Sequence, residues 1–163
     1  MFDGNKQTQA GMTLIEVLVS VLILAIGLLG AAAIQLNALK YTDSSTKTSQ
    51  ASFIAYDMMD RIRANVDGNA VANGTTDVLA TYALASLDGN LSANINIAKD
   101  QDLYDFKTNI NSFAGSSATG SIVVAKPVVT ITIGWDDTRA AGTSTTRSFT
   151  LTSRIGANAV VAP

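Results

Sequence analysis

Between Val17 and Leu39 the sequence carries no charged side chain, and the stretch from Ala10 to Leu36, AGMTLIEVLVSVLILAIGLLGAAAIQL, holds a single ionisable residue, Glu16. A helix from Met12 to Leu36, rising about 1.5 Å per residue, is roughly 37 Å long, against a hydrocarbon core of about 30 Å. A helix buried in a small soluble domain shows a polar face, and this run shows none. The spacing therefore predicts a helix of membrane length. A charge near the centre of such a helix costs about 2.5 to 3.5 kcal/mol, so an acid close to its start calls for a reason.

The 163 residues leave room for one small domain beside the apolar helix. A net charge of -2 and an acidic isoelectric point offer no basic surface for a phosphate backbone, so nucleic acid is not expected as a partner. The chain has no cysteine and no histidine, which removes thiol nucleophiles, disulfides, Cys/His zinc sites and any imidazole base. No catalytic, cofactor or metal residues are expected, and the chain reads as a non-enzyme.

A cleaved secretory signal ending at Ala31-Ala32-Ala33 fits poorly. The apolar region exceeds the usual 7 to 15 residues, and Asp3 and Glu16 accompany Lys6 where a positive leader belongs. An uncleaved anchor explains the span but neither the glycine nor the acid. The leader Met1 to Gly11, followed by Met12-Thr13-Leu14-Ile15-Glu16-Val17, resembles the class III signal of type IV pilins and pseudopilins. The resemblance implies cleavage by prepilin peptidase between Gly11 and Met12, N-methylation of Met12, and an assembly role for Glu16, whose carboxylate would be neutralised by a neighbouring subunit's terminal amine. The bland alternative leaves Glu16 in the headgroup layer, touching nothing. Many major pilins begin with phenylalanine and kink the apolar helix with a proline. Here Met12 and Ala31 to Ala33 stand instead, and Gly27 and Gly30 serve either as a weak point or as a close-packing face.

Past Leu36 the chain turns polar from Lys40 to Gln50, and then Ala51, Ile54, Ala55, Met58 and Ile62 fall at helical spacing up to Asp67-Gly68. The helix is expected to continue as an amphipathic half. Ser49-Gln50-Ala51 and Tyr56-Asp57-Met58-Met59-Asp60-Arg61-Ile62-Arg63-Ala64-Asn65 resemble the signature of the PilV-type minor pilins. Asp57 and Asp60, with arginines interleaved, read as a salt-bridged solvated face rather than an acid–base pair.

Residues 69–98 read as a variable connector with a short helix from Val78 to Leu87 ended by Asp88-Gly89; its sequon patterns at Asn73 and Asn90 are taken as chance. Leu103, Phe106, Ile110 and Phe113 predict a second amphipathic helix from Asp100 to Phe113, capped by Asp100. Asp100-Gln101-Asp102 lacks the glycine that a calcium loop needs. The final third alternates as strands: Ser121 to Ala125, Val129 to Trp135, and Arg147 to Ile155. The Trp135-Asp136-Asp137-Thr138-Arg139 corner is also similar to the PilV pattern, and reads as a buried tryptophan followed by a solvated hairpin.

The expected fold is α+β, type IV pilin-like: a long N-terminal helix, half membrane-spanning and half amphipathic, packed on a C-terminal antiparallel sheet. The expected divisions are a leader at 1–11, a transmembrane and assembly helix at 12–36 and a periplasmic head at 37–163. The resemblance implies a minor pilin that helps initiate, prime or cap a type IV pilus. Its partners would be other minor pilins, the major pilin, prepilin peptidase, the inner-membrane assembly machinery and, before assembly, lipid. Its location would be the inner membrane before assembly and the pilus afterwards. A minor pseudopilin of a type II secretion system shares the same N-terminal pattern, and a membrane-tethered periplasmic enzyme is a rival from another class.

Overall fold

The structure, a computed structural model, describes residues 12–68, 78–89, 91–138 and 146–155. The chain divides into two compact units, Met1–Lys40 and Tyr41–Pro163. Helix α1, Leu14–Gly68, contributes to both.

In the first unit α1 is a bare apolar helix. Its large side chains from Leu14 to Leu39 are all exposed, and it is long and apolar enough to cross a membrane. A Cβ added at Gly27 or Gly30 would meet nothing within 4 Å, so neither glycine is required by packing inside this chain.

In the second unit α1 first passes through a hydroxyl-rich turn. Thr46, Thr48 and Ser49 donate their hydroxyls to the carbonyls four residues back, at 3.0, 3.0 and 3.1 Å. Side chains bonded in this way satisfy themselves locally and leave little for a core. The apolar stripe begins next: Ala51, Ala55, Met58 and Ile62 are buried as their spacing predicts, Ile54 is half-buried, and Met59 joins them.

The sheet has the order β1-β2-β3, with β1 Thr119–Ala125, β2 Val128–Asp136 and β3 Thr146–Arg154, all antiparallel. The register sets Ile122 against Ile131 and Ile131 against Leu151. Alternation sorts the faces: Ile122, Val129, Ile131, Ile133 and Trp135 point into the core with the α1 stripe, while Thr130–Thr152 and Thr132–Thr150 hydroxyl pairs, at 3.1 and 3.4 Å, run along the outer face. The fold is thus the α+β, pilin-like arrangement expected, with a long N-terminal helix packed on a three-stranded antiparallel sheet.

Helix α3 runs Ala98–Ala114, two residues earlier than its predicted start. Asp100 is therefore not its cap. The cap position is Ile97, whose carbonyl accepts from the Asp100 and Gln101 amides at 3.0 and 3.1 Å without any side-chain bond. Asp100 instead lies in the first turn, where its charge suits the helix dipole, and pairs with Lys99 at 2.6 Å. At the other end Gly115 takes φ 82° and ψ 178°, a positive-φ conformation that glycine adopts without the strain a Cβ would bring. Gly120 on β1 lets α3 approach closely, since a Cβ there would stand 2.9 Å from both Ile110 Cδ1 and Leu87 Cδ2.

The short helix expected over Val78–Leu87 is only α2, Val78–Thr81. Two demands end it. Tyr82 is drawn fully into the core, and Leu84 bridges to Ile122 through backbone bonds of 2.9 and 2.8 Å, which helical residues cannot make. This part of the connector is thus structural, delivering Leu79, Tyr82 and Leu87 to the core. Asn73 and Asn90 lie outside the described residues.

Candidate processing and assembly segment

The start of α1 has a local logic that the spacing of apolar residues did not bring out. Thr13 precedes the first helical residue, and its carbonyl accepts from the Glu16 and Val17 amides at 3.0 and 3.3 Å. Its Oγ1 lies 3.4 Å from the Glu16 amide. Thr-x-x-Glu is the pattern of a capping box, and Thr13 supplies its half of it, helping begin the helix through the Glu16 amide. The Ser20 hydroxyl donates to the Glu16 carbonyl at 2.7 Å, which keeps the polar groups of this turn together.

Glu16 itself is exposed, with no ion pair among the described residues, and the Met12 side chain is 71% exposed. The segment therefore presents a carboxylate on an otherwise apolar cylinder, open to a partner or to a headgroup. Gly11, on the other side of the expected cleavage bond, lies outside the described residues.

In the head, Asp57 and Asp60 are exposed and pair with Arg61 at 2.9 Å and Arg63 at 2.7 Å, the solvated ion pairs expected. Arg61 does more than that. Its Nη1 also reaches Asp102 Oδ1 at 3.2 Å and Asp105 Oδ2 at 3.0 Å, tying α1 to α3. Burial alone would lower the Arg61 pKa, but the hydrogen bond it donates to Asp102, the charge of Asp57 and the bond to Asp105 outweigh it and raise it, so the guanidinium stays charged.

Asp102 is the centre of this tie. Tyr82, with no exposed surface, donates its hydroxyl to Asp102 Oδ2 at 2.7 Å, and Asn65 donates to the tyrosine oxygen at 2.7 Å. Burial and the adjacent Asp102 carboxylate push the Tyr82 pKa well above its ordinary value of 10.0. Helical spacing offers no signal for this network, because the bonds that join its elements span 17 to 44 residues of sequence.

The Trp135 corner differs from expectation at one position. Trp135 is buried and meets Phe113 edge-on at 6.1 Å, and Asp136 is exposed, accepting from the Thr138 amide at 3.0 Å. Asp137, however, is 1% exposed rather than solvated. It continues the inward alternation of Ile133 and Trp135, and accepts from Ser44 Oγ of α1 at 2.5 Å and from Arg147 Nε at 3.1 Å. Its hydrogen-bond donor Ser44 and its counter-charge Arg147 come from other elements, which is why a local reading placed it in a turn. Arg139 lies outside the described residues.

Among the described residues no group of three acidic side chains is placed to hold a metal ion. A cleft of about 300 Å³ at the start of α3 contains Lys99 and Asp100, which pair with each other.

Residues 6–32 match the prokaryotic N-terminal methylation motif, a span that contains Gly11, Met12 and Glu16. The motif indicates a type IV pilin or pseudopilin prepilin and implies processing by prepilin peptidase and entry into a pilus-type assembly machinery. No curated protein and no solved structure matches the chain.

Proposed function

We propose that this chain is a minor pilin of the PilV type, with a structural rather than a catalytic role in the initiation, priming or tip assembly of a type IV pilus. The observation that carries the reading is the methylation motif over residues 6–32, set on an apolar helix whose side chains are all left exposed by its own chain. The middle segment Asp57 to Asn65 and the Trp135-Asp136 corner favour the pilus over a secretion pseudopilus.

In this reading prepilin peptidase cuts between Gly11 and Met12 and methylates the Met12 amine. The single-pass chain then waits in the inner membrane, with residues 12–36 in lipid and residues 37–163 in the periplasm. Assembly exchanges lipid for neighbouring pilin helices. Burial and close packing of the helix supply the strength, and a Met12 ammonium from one subunit against a Glu16 carboxylate from the next supplies register. Once assembled, the subunit is carried to the cell surface with its partners, other minor pilins and the major pilin.

Glu16→Ala tests the assignment. The expected outcome is a head of unchanged stability with the protein lost from sheared pili. Undiminished incorporation would remove Glu16 from the assembly mechanism, and finding the wild-type chain in secretion complexes instead of pili would favour the pseudopilin.

A further inference from the structure

Helix α1 enters the head through a stretch unlike the helix on either side of it. Residues 41–50 read YTDSSTKTSQ, and eight of the ten are Tyr, Thr, Asp or Ser, all weak helix formers. Thr46, Thr48 and Ser49 turn their hydroxyls back to carbonyls of the same helix, an arrangement that loosens and bends it. Of these ten residues only Ser44 is buried, and the apolar stripe begins after them, at Ala51.

The stretch is tied to the head by polar bonds. The Ser44 hydroxyl donates to Asp137 Oδ2, which also accepts from Arg147 Nε, and Lys47 Nζ reaches the Asp136 carbonyl at 3.3 Å. Both ties end where β2 ends. Asp137 is fully buried, yet its Oδ1 has no hydrogen-bond partner among the described residues. A carboxylate with an unsatisfied oxygen is costly to keep from water. An apolar contact loses stability in proportion to the area it exposes on opening. Opening at Ser44 instead returns a charge to water, and that hydration offsets part of the loss.

From these features we infer that Ser44 and Asp137 form a latch: residues 41–50 leave the end of the sheet and lose their helix as one unit, while the stripe from Ala51 to Ile62 stays packed. Once released, a run of weak helix formers has no tertiary contact to keep it helical. The device is a hinge in the segment that joins the apolar half of α1 to the core, and the helix can bend there without the core opening. It is a property of the chain by itself and does not rest on the pilin reading.

Hydrogen–deuterium exchange of the full chain in detergent micelles, read by mass spectrometry of peptic fragments, tests the latch. In the wild type, residues 45–50 should exchange at least about a hundredfold faster than residues 55–62, as a locally opening unit does beside a packed one. Ser44→Ala should speed residues 45–50 by about a further tenfold, the loss of one hydrogen bond to a carboxylate, and leave residues 55–62 unchanged. Ser45→Ala, at an exposed neighbouring site, makes the same gain in helix propensity without touching the latch and should not speed them. Residues 45–50 exchanging in step with residues 55–62 in the wild type, or Ser44→Ala speeding residues 45–50 no more than Ser45→Ala does, overturns the proposal. So does Ser44→Ala speeding both stretches equally, which would make the contact part of the core.

Discussion

Leu22 and Met58 are apolar residues on one helix, yet Leu22 is 60% exposed and Met58 1% exposed. The helical backbone is the same around both, so the difference lies in what each stretch is given to pack against. Past Lys40 the chain supplies its own cover, a sheet whose inward residues match the α1 stripe. Before it, the large apolar side chains from Leu14 to Leu39 have no cover among the described residues, and in the proposed function lipid or other subunits provide it. The second half of α1 is a core element of a small domain, and the first half is, in that reading, an interface kept for others.

The sharpest test of that division is a pair of truncations. Met58→Ala should destabilise the head by about 2 to 5 kcal/mol, because a buried side chain leaves a cavity. Leu22→Ala should change head stability by less than about 0.5 kcal/mol, as for an uncoupled exposed site. Both are read by denaturant unfolding of the full chain in detergent, using the fluorescence of Trp135, the single tryptophan. A Leu22 effect as large as that of Met58 would mean that the first half of the helix supports the head after all.

That division was visible in the sequence because period and charge mark it. The absence of any polar face before Lys40 and the 3–4 spacing from Ala51 to Ile62 each report one environment, and the alternation in Val129 to Trp135 reports a third. Legibility failed where residues distant in sequence share a polar contact. Asp102 looked like part of a helix start, and Asp137 like a turn acid, yet each is buried by partners from other elements: Tyr82 and Arg61 for the first, Ser44 and Arg147 for the second. Nothing local in the sequence shows that such an acid will be paired. At the apolar end, Glu16 was legible as an anomaly, while the capping of its amide by Thr13 emerged from the backbone geometry.

A smaller effect separates the buried network from the solvated ion pairs on the same helix. Asp102→Ala should cost about 1 to 3 kcal/mol, since it strands the buried Tyr82 hydroxyl and removes one carboxylate from Arg61. Asp60→Ala, on the exposed side, should cost no more than about 1 kcal/mol. Equal losses in the two variants, measured in the same unfolding assay, would place Asp102 among the surface pairs.

The smallest effect is confined to alkaline pH. The folded-state pKa of Tyr82 is raised, chiefly by burial and then by Asp102, so the hydroxyl stays protonated in the fold while it ionises in the unfolded chain. Its contribution is fully present below the ordinary value of about 10 and is lost as pH rises from there toward the folded value. Wild type should therefore lose more stability above that pH than Tyr82→Phe, which has no proton to lose. Parallel pH profiles of the two proteins would contradict a folded-state Tyr82 pKa raised by its burial.

In the proposed function the uncovered half-helix is an assembly element released by prepilin processing. Mass spectrometry of the protein isolated from its own cells is the direct test: the mature chain should begin at Met12 and carry a methyl group on its amine. An intact leader, or a first residue at Ile34 as a conventional signal cleavage would leave, contradicts it.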